Sequence, residues 1–199
     1  SIFYVLETGG HQLRELDEAF GRLPPTGMAL LDNGEWGQPL PCDQYERCGV
    51  ACMQQFHKLR VCLRLVEAAE AARGKRFDWL IRLRPDTQLN APVGDLADLD
   101  ADAVHVVMTR NGDPDDNFAI VPRAHAQLYF GMGEVCPTVQ QGRKAQCAIP
   151  WEASHIYPEC VIKTWLIDAH VRYLAFPKIY TIRREVVCHP DDPRGSWRR

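Results

Sequence analysis

The segment Phe77–Thr87 most constrains what this chain can fold into, because a strand pattern there runs directly into a proline and an acidic residue. Its apolar residues alternate at every second position, which is typical of a β-strand. Pro85 cannot continue a central ladder, so we expect the strand to end there and to leave Asp86 at its carboxyl edge. Ligands of open α/β sheets bind at that edge. Asp86, flanked by Arg82 and Arg84, is therefore well placed for a metal–phosphate group.

Strand-like and helix-like patterns alternate along most of the chain. A run at about 45–73 has apolar residues at every third or fourth position, which predicts a long helix that Gly74 ends. Pro122 and Pro158 are each expected to open a further helix. This order predicts one α/β domain over residues 1–199, with a mostly parallel sheet flanked by helices. The remaining predicted elements are a short helix at 11–21, an acidic turn at 111–117, and strands at 2–6, 27–32, 103–108, 118–121, 171–176 and 179–187.

The composition argues against several classes of protein. Of the 199 residues, 46% are hydrophobic and 25% are charged, which is ordinary for a globular domain that buries a core. The formal net charge of −3 argues against nucleic acid as a general partner, because nucleic-acid binders present a basic face. No apolar run approaches the roughly 20 residues that span a bilayer. Since Ser1 falls inside a predicted strand, we expect a processed chain or one truncated at its N-terminus.

The eight cysteines favour disulfides and an oxidising compartment, because their number is even and their density is high. We therefore expect a secretory-pathway lumen such as the Golgi, or the extracellular space. Cys136 and Cys147 bracket a polar loop that a disulfide between them would staple. Two alternatives stay open: a structural metal at Cys48, Cys52 and His57, and buried thiols that act as small apolar residues. The other cysteines are Cys42, Cys62, Cys160 and Cys188.

Three segments together resemble the core of GT-A-type glycosyltransferases. They are residues 55–63, the strand end at 77–86, and residues 116–123, which read Asp-Asn-Phe-Ala-Ile-Val-Pro-Arg. They most resemble a eukaryotic group whose strand ends in Arg-x-Arg-Pro-Asp. The resemblance covers about residues 45–187 and implies a GT-A-like, Rossmann-type mixed sheet. It also implies a nucleoside-diphosphate sugar as donor substrate, with Mn²⁺ or Mg²⁺ on its diphosphate.

By this resemblance, Asp86 takes the role of the acidic residue that holds the cation. The common motif is Asp-x-Asp, whereas Arg84 stands at its first position here. A single aspartate is workable, because Mg²⁺ and Mn²⁺ are often held by one or two carboxylates together with substrate phosphates. Arg84 and Arg82 are predicted to contact the diphosphate, since guanidinium forks match phosphate geometry. Lys58, on the polar side of the long helix, is a further candidate for phosphate contact.

Each of these assignments has a structural alternative. Arg82 would pair with Asp78 or Glu67 in a purely structural role, and Asp86 would cap the following turn. Lys58 would then lie on a solvated helix face.

Carboxylates in two other segments are candidates for a catalytic base. Asp116 is preferred, because it directly precedes a predicted strand and the corresponding region lines the acceptor sugar in GT-A folds. Glu152 and Glu159 lie near aromatic residues, whose faces suit the apolar side of a sugar ring. Both residues have a structural alternative: Asp116 would initiate a turn, and Glu159 would stabilise the dipole of its helix. His189 is a second candidate metal ligand, since many GT-A enzymes supply a late histidine; a lone surface histidine is the alternative.

These features together predict a glycosyltransferase that moves a sugar from a nucleoside-diphosphate donor to a glycan or protein acceptor, including a glycoprotein. Asp86 would neutralise the diphosphate leaving group, with Arg84 or a divalent metal assisting. The alternative is a non-catalytic GT-A-like module that binds carbohydrate or serves as a structural subunit of a larger extracellular or lumenal assembly. A dinucleotide enzyme is disfavoured, because Gly9 and Gly10 are its only hint and the sequence has no Gly-x-Gly-x-x-Gly.

Overall fold

The computed structural model describes residues 1–7, 20–31, 49–84, 86–132 and 158–182, and within these ranges the chain is mixed α/β. Short 3-10 helices precede the fifth strand and the second helix. In chain order, the elements are β1 (Phe3–Glu7), β2 (Gly27–Leu31), α1 (Gly49–Arg73), β3 (Trp79–Leu83), β4 (Thr87–Leu89), β5 (Val104–Met108), β6 (Pro114–Pro122), α2 (Ala126–Phe130), α3 (Pro158–Asp168), β7 (Tyr173–Ala175) and β8 (Tyr180–Ile182).

Several predicted elements are confirmed. The long helix α1 ends at Arg73, and Gly74 follows it with a φ of +67°, a conformation that glycine adopts without steric cost. Pro158 opens α3, as its fixed φ and missing N–H favour. The strand before Asp86 is β3, which ends at Leu83. Pro85 itself, and most of the helix predicted at 11–21, lie outside the described residues.

The central sheet has the strand order β3-β6-β5-β7, with β6 antiparallel to both neighbours and β7 parallel to β5. Elsewhere in the described ranges, β1 pairs with β2 in parallel and β4 pairs with β8 antiparallel. The expectation of a mostly parallel sheet was therefore wrong for the central sheet, in which two of the three strand pairs are antiparallel. The reason is the tight turn between β5 and β6: Thr109 N–H donates to the Asp113 carbonyl at 2.8 Å, and Gly112 has a φ of +76°. A connection this short only permits antiparallel strands.

The strand β6 is longer than predicted, and this changes the position of the acidic segment. It begins at Pro114, so Asp115 and Asp116 lie within the strand and not in a turn that precedes it. Pro122 ends β6 and does not open a helix; a 3-10 helix at Arg123–His125 follows before α2 begins. Aspartates are uncommon inside strands because their side chains need polar partners, and the partners here come from distant parts of the chain.

Two apolar clusters lie on opposite faces of the central sheet. On one face, α1, α2 and α3 pack against β3, β5 and β6, so this face holds the main core. On the other face, a smaller cluster involves β8 and the segment before β5. The α1 residues in the main core are Phe56, Leu59, Leu63 and Val66, and the buried members of the smaller cluster are Val107, Phe118, Ile120 and Tyr180.

A buried ion pair fastens the C-terminal end of α1 to the end of β6. Arg123 donates to both carboxylate oxygens of Glu70, from Nε and Nη2, each at 2.8 Å. The backbone N–H of Phe77 donates to the same carboxylate at 2.9 Å, and the backbone N–H of Arg123 donates to the Asp78 carbonyl at 2.9 Å. The bond from Arg123 holds the pKa of Glu70 below its ordinary value, so this carboxylate stays ionised in the folded protein.

We expect Glu70→Gln to destabilise the domain, because it leaves the buried Arg123 beside a neutral amide. Breaking a buried pair from one side costs roughly 3 kcal/mol. The folded-state pKa of Glu70 is lowered, so its ionised form adds to the unfolding free energy. This contribution is fully present above the unfolded-state pKa of about 4.3, and it is lost as the pH falls through the folded-state pKa. Urea unfolding of both proteins should therefore show a difference in unfolding free energy that is constant near neutral pH and shrinks in acid.

The matched control is Glu67→Gln, because Glu67 is more exposed and lies 3.6 Å from the same guanidinium. That change should cost less than about 1 kcal/mol. Equal losses in the two variants would contradict a specific role for the Glu70–Arg123 pair.

Candidate functional site

The carboxyl end of β3 and the start of β6 meet at one edge of the central sheet, because the two strands are antiparallel. The backbone N–H of Arg84 donates to the Asn117 carbonyl at 3.1 Å, which joins the two segments directly beyond the last strand pair. Asp115 and Asp116 are close enough to raise the pKa of Arg84, after the larger effect of its hydrogen bonds to Asp86. Arg84 and Asp86, which were predicted to bind the donor, thus lie at the same edge as Asp116, which was predicted to face the acceptor.

Arg84 and Asp86 form a two-point ion pair. Arg84 Nε donates to Asp86 Oδ1 at 2.9 Å, and Nη2 donates to Oδ2 at 2.8 Å. Their side chains are 41% and 33% exposed, so the pair lies at the surface where a ligand has access to it. A turn bond from the Thr87 N–H to the Arg84 carbonyl, at 3.0 Å, holds the segment between β3 and β4. Both charged groups that the sequence assigns to a metal–phosphate ligand are therefore engaged with each other.

The two aspartates at the start of β6 are buried and have partners on different elements. Asp115 accepts a hydrogen bond of 2.6 Å from the Tyr180 hydroxyl on β8, and it also accepts from the backbone and side-chain amides of Asn117. Asp116 accepts from the side-chain amide of Gln55 on α1 at 2.9 Å. Burial and the Asp115 carboxylate raise the pKa of Tyr180, so its hydroxyl stays a donor.

These two aspartates are neighbours on a strand and so point to opposite faces of the sheet, and an irregularity in β6 affects which face each of them reaches. Between the pairs Val106–Ala119 and Met108–Pro114, the chain takes five residue steps on β6 against two on β5. The extra residues form a bulge, which interrupts the strict alternation of side chains. Bulges of this kind often re-aim side chains next to functional sites.

The helix α3 brings two more charged groups to the same edge. Lys163 donates to the fully buried carboxylate of Asp113 at 2.8 Å. Glu159 lies four residues earlier in the first turn of α3, so it is on the same face of the helix as Lys163. Burial, together with the charges of Asp116, Asp115 and Asp113, raises the pKa of Glu159.

Glu159 differs from the other carboxylates at this edge. Asp113, Asp115 and Asp116 each accept a hydrogen bond from a side chain of another element. Within the described ranges, the Glu159 side chain has no such partner, and its hydrogen bond is to its own backbone N–H. Of the four, it is therefore the carboxylate that a ligand would bind without breaking a bond to another element.

Arg82 is buried beneath the edge and does not form the ion pairs that its structural alternative predicted. Its side chain is only 5% exposed, and Nη1 donates to the Tyr129 hydroxyl at 3.2 Å, in place of Asp78 or Glu67. The Nη2 atom is buried and has no hydrogen-bond partner. A buried donor that lacks a partner is costly, so Arg82 retains an unused binding capacity close to the acidic residues.

The other predicted site residues fall in different places. Lys58 is half-buried on α1, three residues after Gln55 and therefore one turn further along the same side of the helix. Glu152 and His189 lie outside the described residues. Cys62 on α1 is a free thiol whose pKa burial raises to about 11, so it stays protonated and unreactive. Cys160 on α3 is buried and disulfide-bonded.

The described part of this edge carries an excess of negative charge. Among the residues assigned to this edge, five carboxylates outnumber three cations. In the described ranges, no group of three or more His, Cys, Asp or Glu side chains is arranged to hold a metal ion by itself. The available donors are carboxylate oxygens, the type that Mg²⁺ and Mn²⁺ prefer. The carboxylates are those of Asp86, Asp113, Asp115, Asp116 and Glu159, and the cations are Arg82, Arg84 and Lys163.

Comparison with known proteins leaves this chain without an assigned relative. No protein-family model matches it, and no curated protein or solved structure matches it either. The assignment of a function therefore depends on the chemistry of the sheet edge where the end of β3 meets the start of β6, which we call the acidic edge. One further observation concerns membranes: none of the helices in the described ranges has the length and apolar character needed to cross a bilayer.

An open pocket of about 390 Å³ lies at the other end of β6, away from this edge. Its lining includes Glu70 and Arg123, which form the buried ion pair between α1 and the end of β6. We call this ion pair the structural clamp. Lys75 and Arg76 follow the C-terminus of α1, where positive charge complements the helix dipole. The structural clamp explains the buried charges of this pocket, and the acidic edge is the stronger candidate for a functional site.

Three polar residues of the site were not identified from the sequence. Lys163 had a local signal, because it lies four residues after Glu159 on a predicted helix. Tyr129 and Tyr180 had none, since their hydroxyls meet Arg82 and Asp115 only after segments 47 and 65 residues apart have packed together.

We expect Lys163→Met to destabilise the domain by roughly 3 kcal/mol, because Asp113 is fully buried and would lose the ion pair with Lys163. The double variant Lys163→Met with Asp113→Asn should recover part of that loss, because it removes the buried charge as well. Chemical denaturation of the wild type, both single variants and the double variant gives the coupling energy. Additive effects of the two changes would contradict the pairing.

Proposed function

We propose that this protein is a glycosyltransferase of GT-A-like architecture that uses a nucleoside-diphosphate sugar as donor. The observation that carries the proposal is the meeting of the Arg84–Asp86 pair with the carboxylates of β6 at the carboxyl edge of β3. Open α/β sheets bind ligands at such edges. The Arg-x-Arg-Pro-Asp strand end, which carries the resemblance to this class, supplies the two groups that such a donor requires.

The charge of the edge supports a donor that arrives with a divalent cation. A diphosphate alone would enter a region in which carboxylates outnumber cations, so electrostatic repulsion would oppose its binding. Mg²⁺ or Mn²⁺ would supply the missing positive charge and would be held by Asp86 and phosphate oxygens. When bound, such an ion neutralises the charge that develops on the leaving diphosphate. Arg84, released from Asp86, would donate to the same phosphates.

Glu159 is the preferred proton acceptor in this proposal, and Asp116 is second to it. The side chain of Glu159 has no partner from another element in the described ranges, and its raised pKa brings it closer to the pH at which a general base works well. Asp116 is already bonded to Gln55 and is better suited to shaping the acceptor side of the site. The acceptor would be a glycan or a protein. The cysteine content supports a lumenal or extracellular setting for the reaction.

A second candidate is a non-catalytic module that binds carbohydrate or serves as a subunit of an assembly. One observation favours it: Arg84 and Asp86 neutralise each other, and Asp113, Asp115 and Asp116 are all hydrogen-bonded within the protein. Charged groups that are all paired or hydrogen-bonded within the protein are what we expect of a former active site that now has a structural role. The two candidates differ in whether the edge binds a nucleotide.

Calorimetric titration of UDP, and then GDP, with Mn²⁺ and with EDTA distinguishes them. For the transferase, we expect binding with Mn²⁺ that weakens at least tenfold with EDTA and in Asp86→Asn. Asp98→Asn is the matched control, because Asp98 is an exposed aspartate at the end of the 3-10 helix before β5. Absence of binding to folded wild-type protein, under both conditions and for both nucleotides, would favour the non-catalytic module.

We expect Glu159→Gln to keep nucleotide affinity but to lower the rate of sugar release by about 10²-fold or more, because it removes the proton acceptor. The substrate would be a UDP-sugar or GDP-sugar chosen by the titration, with released nucleotide as the readout and water as the acceptor. Since the pKa of Glu159 is raised, the acid limb of the wild-type rate should lie above the ordinary glutamate value. Unchanged turnover in Glu159→Gln would exclude it as the base.

A further inference from the structure

We infer that this chain forms a two-fold dimer in which β3 of one copy pairs antiparallel with β3 of a second copy. The inference goes beyond the proposed function and concerns an interaction surface. Across the part of the chain that the structure describes, β3 is an end strand of the central sheet and pairs with β6 alone. We call the side of β3 that faces away from β6 its open side. An unpaired strand side of this kind is a template for pairing with another chain.

The backbone of β3 directs a regular set of hydrogen-bonding groups to the open side. The N–H of Arg84 donates to the Asn117 carbonyl, and the N–H of Arg123 donates to the Asp78 carbonyl, so the even-numbered backbone positions face β6. In an antiparallel ladder, the residues between these positions turn their N–H and C=O groups away from the partner strand. In the described ranges, no hydrogen bond reaches those groups. They belong to Trp79, Ile81 and Leu83.

The side chains on the open side continue an apolar surface. Ile81 and Leu83 are 44% and 43% exposed, although they point to the sheet face that carries the smaller apolar cluster. Across the ladder they pair with Ile120 and Phe118, two buried members of that cluster. The cluster therefore extends onto β3 and ends there in contact with solvent. Exposed apolar side chains beside an unpaired strand indicate a site of association.

The devices that commonly protect an open strand are missing from β3. Such strands are usually interrupted by a bulge or a proline, or carry an exposed lysine. The five residues of β3 pair in regular register with β6 and include neither lysine nor proline. Arg82 is its charged residue, and it points to the other face, where it is buried and donates to the Tyr129 hydroxyl. The open side is therefore available for a further strand.

The sequence of β3 is complementary to itself across a two-fold axis. If the axis passes through Ile81, this residue faces Ile81 of the second copy, and Trp79 faces Leu83 of the second copy. These residue pairs are apolar, and each exchanges two hydrogen bonds. Beyond them, Asp78 faces Arg84 of the second copy, and the symmetry forms this pair twice. The match of both apolar and opposite charges favours a second copy over an unrelated strand.

Both charged residues are accessible to a second copy. Asp78 is exposed, and the Arg84 side chain is 41% exposed. Arg84 bonds to Asp86 through Nε and Nη2, and its guanidinium has further N–H groups that can donate to Asp78 of the second copy. The dimer therefore places a carboxylate of one copy beside the acidic edge of the other.

We expect the dimer to be weak, because a stable interface buries roughly 1,200–2,000 Å² and a pair of five-residue strands covers only part of that area. The dissociation constant should be about 1–100 μM. Sedimentation velocity of the full chain without nucleotide, over concentrations on both sides of this range, measures it.

Ile81→Lys should raise the dimer dissociation constant about tenfold or more, because it places two lysines opposite each other at the axis. Leu30→Lys is the matched control, since Leu30 on β2 is 42% exposed and also apolar. The same change at that position should leave the dissociation constant as it is in the wild type. Circular dichroism of each variant checks that it is folded.

An exchange of charges tests the register of the two strands. In Asp78→Lys alone and in Arg84→Glu alone, like charges face each other at both symmetric positions, so each variant should dimerise about tenfold more weakly. In a mixture of the two variants, the introduced charges are opposite and face each other, and the unchanged Arg84 and Asp78 also meet. The mixture should therefore form a heterodimer about as tight as the wild-type dimer.

Three outcomes would overturn the inference. A wild type that stays monomeric at every concentration would leave the open side of β3 to a strand of a different protein. A dimer that Ile81→Lys does not weaken would form through another surface. A mixture that fails to recover the dimer would exclude the register centred on Ile81. None of these measurements uses a nucleotide, so their failure leaves the proposed function standing.

Discussion

The burial of charge at the start of β6 is the constraint on which the rest of this structure depends. A carboxylate removed from water must find donors or counter-charges, because its desolvation is otherwise prohibitive. Asp113, Asp115 and Asp116 find theirs on α3, β8 and α1 respectively, so one short stretch of strand specifies where three other elements must lie. Apolar packing sets the layers of the domain, and these polar bonds add a directional requirement that packing alone lacks.

The two ends of β6 handle charge in different ways. At its C-terminal end, Arg123 and Glu70 match each other at two points, with a backbone amide completing the carboxylate's bonds. At its N-terminal end, carboxylates outnumber cations, and Glu159 has no partner from another element in the described ranges. A buried arginine nitrogen without a hydrogen-bond partner occurs at both ends, at Nη2 of Arg82 and at Nη1 of Arg123. A matched pair is what a structural clamp requires. An unmatched set is costly to keep and is more often found where a ligand completes it.

The sequence was most informative where local rules decide the structure. Alternating side chains and a terminal proline predicted the strand before Asp86, and helical spacing predicted α1 up to Gly74. The antiparallel direction of β6 was missed, although Asn111 and Gly112 form a dipeptide typical of tight hairpin turns. The Arg84–Asp86 pair was also missed, because spacing shows that two charges are close but not that they engage each other. Contacts such as that of Tyr180 depend on tertiary packing and leave no local pattern.

The long sequence separations within the site have a consequence for how this protein folds. The bonds at the acidic edge join residues 50, 61 and 65 positions apart, and they converge on one short segment at the start of β6. Closing such loops costs entropy before any bond compensates for it, so contacts of this kind form slowly. The acidic edge should consequently be among the last regions to assemble on the folding pathway. A nascent chain would complete this edge only once β8 had emerged and docked.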